Sequence, residues 1–143
     1  MTQHITKSFH SGPVEVPSGR VCPIPLRGAQ PDDDRIEVTR HGAVKIKETG
    51  WYEVLLTAAW DPDRTVGTRF SHTKTPDRHP IHSEAIEAAV LAAISGGEQL
   101  LRGNTVLGGD GPDQITIEVW QDSGETVTLD RAELTLRLLL QQP

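Results

Sequence analysis

Gly50-Trp51-Tyr52-Glu53-Val54-Leu55-Leu56-Thr57-Ala58-Ala59-Trp60 is the stretch on which the reading of this chain turns. It is rich in aromatic and aliphatic residues, too short to span a bilayer, and apolar in part on both of its alternating faces. A strand of that kind is central: covered on both sides, or on one side by a second sheet and on the other by a neighbouring subunit. The turn signals Glu48-Thr49-Gly50 before it and Asp61-Pro62-Asp63-Arg64 after it set its ends.

Upstream, Arg35-Ile36-Glu37-Val38-Thr39 and Ala43-Val44-Lys45-Ile46-Lys47 alternate with the two-residue period of half-buried strands, and His41-Gly42 turns between them. Downstream, Val66 to His72 reads as the next strand. Ile115, Ile117 and Val119 alternate with Thr116, Glu118 and Trp120; Asp122-Ser123-Gly124-Glu125 turns the chain to Val127-Thr128-Leu129. Leu134, Leu136, Leu138 and Leu140 then mark a last long strand. One segment breaks the rhythm. Ser83 precedes an alanine-rich run over residues 84–95 in which Ile86, Val90 and Ile94 recur every four residues, and Gly96-Gly97 follow. Local preference there is for a short helix of about three turns capped by Ser83, with a strand pair as the rival. The expected class is all-β, a two-sheet antiparallel sandwich with a short helix near residues 84–95.

Residues 1–34 differ from the rest. Pro13, Pro17, Pro23, Pro25 and Pro31 interrupt them, which fits edge strands or an arm lying along a partner. The expected organisation is therefore a proline-rich N-terminal segment, 1–34, and a sandwich domain, 35–143. Asp32-Asp33-Asp34 is a solvated turn.

The 143 residues suffice for one domain with its own core. A net charge of −6 without a basic cluster argues against nucleic acid, whose phosphates need a basic face. The single cysteine, Cys22, rules out an internal disulfide and a thiolate metal cage. Its neighbours Pro23 and Pro25 offer no base, so it reads as a spectator. The first ten residues lack the basic start and apolar core of a signal peptide, and no apolar run approaches the roughly 20 residues of a membrane span. Synthesis and folding in a cytoplasm, with no membrane partner, are expected; exposure would come through incorporation into a particle.

At this point the pattern resembles the C1q/TNF-like jelly-roll family, the complement globular heads and tumour-necrosis-factor ligands. Gly50-Trp51-Tyr52 opening a long apolar strand looks like that family's Gly-x-Tyr strand, and Gly67-Thr68-Arg69-Phe70 like the Gly-x-Arg step after it. Gly109-Asp110, Ile115 to Gln121, Ser123-Gly124 and the last alternating strand complete the likeness. It covers Ile36 to Leu140, best over 43–71 and 108–140. The chain departs from the pattern in the longer turn Gly111-Pro112-Asp113 and in the helical signal of 83–95. The resemblance implies a jelly roll of about ten strands forming a tight homotrimer, with Trp51, Tyr52, Trp60 and Trp120 as candidates for the trimer interface. Physics points the same way, since these strands carry more apolar surface than one small sandwich hides.

Other chemistries find weaker footing. His79 and His82, with His72 and Glu84 near in sequence, could ligate zinc or iron as in a cupin, yet the cupin motifs are missing, and a polar surface loop is the simpler reading. Asp61, Asp63, Asp110 and Asp113 could hold calcium, but their spacing is that of ordinary turns. No nucleophile elbow or phosphate loop is present. The expected function is thus a non-enzymatic, cofactor-free homotrimer: a phage virion component, either a capsid decoration protein at three-fold positions or a tail-tip or fibre protein, touching a capsid or tail protein through the N-terminal arm. The alternatives are a bacterial lectin-like trimer that binds carbohydrate or a receptor and, last, a cupin-like metal enzyme.

Overall fold

A computed structural model describes residues 6–28, 35–75, 80–108 and 113–141. In chain order the elements are β1 (Thr6–Ser11), β2 (Val14–Val16), β3 (Cys22–Ile24), β4 (Arg27–Gly28), β5 (Ile36–Val38), β6 (Val44–Ile46), β7 (Gly50–Trp60), β8 (Thr68–Lys74), β9 (His82–Glu87), α1 (Ala88–Ser95), β10 (Glu98–Leu107), β11 (Asp113–Gln121) and β12 (Val127–Gln141). They make two six-stranded antiparallel sheets. Sheet one runs β10-β7-β12-β1-β4 with β2 beside β12; sheet two runs β5-β6-β11-β8-β9 with β3 beside β11. This is a jelly-roll sandwich.

The core follows from the pleat. Along β7 the even-numbered residues Tyr52, Val54, Leu56, Ala58 and Trp60 are buried, and on β12 Ala132, Leu134, Leu136 and Leu138 join them. Sheet two answers with Ile115, Ile117 and Val119 from β11 and with Val44 and Ile46 from β6. Side chains alternate across a strand, so each of these sets faces one way and meets the other between the sheets. Residues 6–28 of the proline-rich segment are laid on both sheets: β1 and β2 pair with β12, β3 pairs with β11, and β4 extends β1. Pro23 sits in β3 at a sheet edge, where its missing N–H breaks no ladder.

The three-turn helix is two thirds of its expected length. Residues 82–87 pair with β8 from Thr73↔His82 to Thr68↔Glu87, and only Ala88–Ser95 is helical. The backbone of 82–87 gains a strand partner that local propensity could not weigh. Ser83 lies inside β9 and caps nothing; Glu87 occupies the N-cap position without a side-chain bond. The four-residue repeat was also misleading. Ile86 belongs to the strand, Val90 and Ile94 are exposed, and the helix buries Ala88 and Leu91 instead. The stop was legible: Gly96 takes a left-handed φ of 64°, and its N–H bonds the Ala92 carbonyl. Strand β10, with Gly103 and Asn104 in its middle, carried no clear alternation and was not anticipated.

Candidate functional site

The sandwich offers two outer sheet faces. On sheet one, the odd-numbered residues of β7 point outward, so Trp51 stands 40% exposed beside Val106 of the paired β10. Leu55 and Leu139 are half-buried on the same face, and Leu100 is 56% exposed. Charges are interspersed: Arg137 faces Glu53 at 3.8 Å across β12 and β7, and Arg131 bonds Glu98 at 2.9 Å. The face is a partly apolar plane with paired charges.

The four aromatic interface candidates do not converge there. Tyr52 (0% exposed) and Trp60 (2%) are sealed inside a single copy, because β7 alternates and even positions face sheet two. The Tyr52 hydroxyl donates to the Glu48 carbonyl at 2.6 Å, and the Trp60 indole N–H to Gln99 Oε1 at 2.7 Å. These two residues leave the interface set and join the core. Trp51 lies on the outer face of sheet one and Trp120 on that of sheet two, opposite Phe70 of β8. The two tryptophans sit on opposite sides of the molecule, so one flat contact cannot use both.

Around Trp120, sheet two carries a second cluster. His72 and Glu118 are paired across β8 and β11, with His72 Nε2 2.7 Å from Glu118 Oε1; Lys74 Nζ lies 3.0 Å from the same oxygen. Phe70 meets the His72 ring edge-on at 5.2 Å. Partial burial works to raise the Glu118 carboxyl, but the bonds from His72 and Lys74 outweigh it and hold the group below the usual carboxylate range.

The proposed metal ligands are dispersed. His79 and Asp110 lie outside the described residues. His82 sits between the sheets, its Nδ1 2.8 Å from Thr73 Oγ1 and its Nε2 3.3 Å from the Val54 carbonyl oxygen. That carbonyl only accepts, so Nε2 carries the proton and Nδ1 accepts from threonine. Burial pushes this imidazole below its ordinary pKa, outweighing the backbone bonds that favour its charged form. Both nitrogens are thus committed. Asp113 accepts the Gly108 N–H at 3.0 Å, and Asp61 Oδ1 accepts the Asp63 N–H at 3.0 Å, an Asx turn. Among the described residues no three potential ligands gather. Cys22 is half-buried against the core.

Where the β7–β8 loop meets the β11–β12 turn there is a half-open cleft of about 320 Å³ between Arg64, Val66, Ser123 and Glu125. Arg69 anchors the loop that forms it. This guanidinium is buried, donates to the Val66 and Arg64 carbonyls at 3.1 and 2.9 Å, and lies 5.5 Å over the Trp60 ring. Burial lowers its pKa, partly opposed by Asp122 and Asp61.

The burial of three polar residues escaped the sequence reading, although Arg69 stood in the Gly-x-Arg step of the resemblance. Gln99 accepts from both Trp60 and the Ser71 hydroxyl, the latter at 2.7 Å, and so ties sheet one to sheet two. Gln121 donates to the Val16 and Glu125 carbonyls at 2.9 and 2.6 Å and accepts the Ser123 N–H. Arg69 is the third. In sequence, each looks like an ordinary outward polar residue of a strand.

The sheet order and pleat define the class: this is the C1q/TNF-like jelly-roll fold. Solved structures bear this out over nearly the whole chain. PRD1 vertex protein P5 superposes with a TM-score of 0.68 at 14% identity, covering 93% of this chain and 95% of that one. Eiger TNF from S. frugiperda gives 0.59 at 15%, covering 98% and 95%, and murine APRIL 0.57 at 13%, covering 94% and 100%. At such identities the likeness is one of fold. No family model and no curated protein sequence matches the chain.

Proposed function

We propose that the chain is a non-enzymatic module that works as a homotrimer associated through the outer face of sheet one, and that it serves as a structural component of a virion. The observation that carries the association is the position of Trp51: a large aromatic 40% exposed on a flat sheet face, with Leu55, Val106 and Leu139 half-buried on that face. A lone sandwich has no reason to leave such a plane in water, and a closed three-fold ring covers it without leaving an open end. The particle role is supported by the likeness to a vertex protein. Within that role a seat at three-fold capsid positions or at a tail tip fits a trimer's symmetry.

The test is sedimentation equilibrium at low micromolar concentration. A mass three times 15.6 kDa is expected. Trp51→Glu combined with Leu55→Asp should give a single-copy species that keeps a β-sheet circular dichroism spectrum, because neither side chain belongs to the core. A wild-type protein that stays monomeric sinks the association. Absence of the chain from purified particles of the virus that encodes it sinks the virion role.

A further inference from the structure

The outer face of sheet two, on the far side of the molecule from Trp51, carries an arrangement that association through sheet one does not use. Its strands run β9-β8-β11-β3 across the face. One rung of cross-strand neighbours is Ala85–Phe70–Trp120; the next is Ser83–His72–Glu118. Adjacent strands lie about 4.8 Å apart, and rungs on one face are separated by about 7 Å, two residues of strand. An aromatic rung thus lies one step from a polar rung, with Lys74 beyond it.

Cross-strand aromatic and charged pairs stabilise sheets, and part of this cluster needs no other explanation. Three features go beyond that. First, polar capacity is left over. Glu118 engages both cations through Oε1 alone, leaving Oε2 without a partner among the described residues, and His72 Nδ1 is likewise unused. The Trp120 indole N–H is neither bonded to a described residue nor sealed from solvent. Secondly, these groups are held in place: side-chain exposure is only 16% for His72 and 21% for Glu118, and two short contacts fix the carboxylate. Thirdly, the face carries no excess of positive charge: Lys74 and ionised Glu118 cancel, and Glu87, one rung past Ala85, is the charge left over. Such a patch does not attract phosphate or nucleic acid, and a single exposed carboxylate is no metal site. The patch suits an uncharged ligand with one C–H face and a rim of hydroxyls, which is a sugar ring: the polarised C–H bonds lie against the electron-rich face of an aromatic ring, and neighbouring hydroxyls bond the fixed acceptors and donors at its edge.

We infer that the outer face of sheet two is a saccharide-binding site for neutral glycans, in which Trp120 with Phe70 supplies the stacking surface and Glu118, His72 and Lys74 bond the hydroxyls. Ala85 and Ser83, both small, keep the flank at β9 low enough for a chain of sugars to run across the strands. The site goes beyond the proposed trimer and stands or falls separately, because it uses the opposite face.

Indole N–H resonances of the full chain report it directly, since Trp51, Trp60 and Trp120 are the only three tryptophans. The protein is titrated with hexameric glucan, galactan, mannan and N-acetylglucosamine oligomers to about 10 mM, an affinity range expected of one shallow site. At least one series should shift the Trp120 signal in a saturable way while Trp60 and Trp51 stay still. Followed through the backbone amide shifts of β11, which need no Trp120 reporter, Trp120→Ala and Glu118→Gln should each weaken that series about tenfold or more, and Trp120→Phe, which keeps an aromatic ring but loses the indole N–H, should fall between. All variants should sediment with the wild-type mass, which separates loss of the site from loss of the trimer or of folding. Glucose 6-phosphate should bind no better than glucose. Silence of Trp120 toward all four series, or unchanged affinity in Glu118→Gln, overturns the inference.

Discussion

Replacing Gln99 with leucine changes little in volume and removes the one acceptor shared by Trp60 and Ser71. In the folded protein the Trp60 indole N–H points 2.7 Å from Gln99 Oε1, and Trp60 is 2% exposed, so no water takes the vacated place without opening the sandwich. Ser71, fully buried, loses its acceptor as well. An orphaned buried donor costs about 1–3 kcal/mol. The serine hydroxyl rotates and recovers part of its share, whereas the indole cannot. Against this, leucine gains about 1–2 kcal/mol from apolar burial. The net loss expected for Gln99→Leu is about 1–2 kcal/mol. Urea unfolding followed by tryptophan fluorescence measures it, at two protein concentrations tenfold apart so that dissociation of an oligomer is separated from unfolding. Trp60→Phe in the same background supplies the control. Because the second change removes the donor that the first one orphaned, the two costs should fall short of additivity by about 1 kcal/mol or more. A Gln99→Leu protein within about 0.5 kcal/mol of wild type, or a strictly additive pair, would mean that the buried amide is not what joins the sheets there.

The turn after α1 gives a paired test. At Gly96 (φ 64°) an added Cβ meets nothing within 4 Å, whereas at Gly97 (φ 92°) it comes 2.7 Å from the Trp60 carbonyl oxygen. Gly96→Ala should therefore cost about 1 kcal/mol from backbone strain alone, and Gly97→Ala distinctly more, about 2–4 kcal/mol, by thermal or urea unfolding. His82 sets a pH dependence. Its folded pKa lies below the ordinary 6.5, so the unfolded chain binds the proton more readily. Stability is then unaffected above about pH 6.5 and falls as the pH drops below it. Urea midpoints from pH 7.5 to pH 5 should show that decline, and His82→Gln should flatten it. Glu118 adds a separate loss at lower pH, because its folded pKa is depressed and its stabilisation disappears as the carboxylate protonates below about 4.5.

The sandwich was legible where burial has a period of two. Along β12 the sequence alternates strongly enough that strand and inward set follow from it, along β7 the central strand but not its inward face was legible, and Gly96 announced the end of the helix. Legibility failed where partners decide the outcome. Residues 82–87 have helical preferences and become a strand only because β8 lies alongside. Trp60 and Tyr52 looked like surplus apolar surface because a sequence does not say which of two greasy faces meets the second sheet. Gln99, Gln121 and Arg69 were invisible for the opposite reason: a polar letter in a strand reads as outward until the acceptors around it are seen. The aromatic and polar rungs of sheet two needed register as well as alternation, since Phe70 with Trp120 and His72 with Glu118 are separated by about fifty residues of chain.

The pairing of β1 with β12 has a consequence for how the molecule comes into being. Thr6 lies opposite Arg137, and β7 needs the same late strand on one flank. On a ribosome Thr6 of β1 emerges some 131 residues ahead of Arg137, its partner on β12. Sheet one cannot close before β12 has been made, so until then the growing polypeptide travels with β7's greasy ribbon open on that flank. Closure of so large a loop is slow, and for as long as it stays open the unpaired flank of β7 is exposed to aggregation.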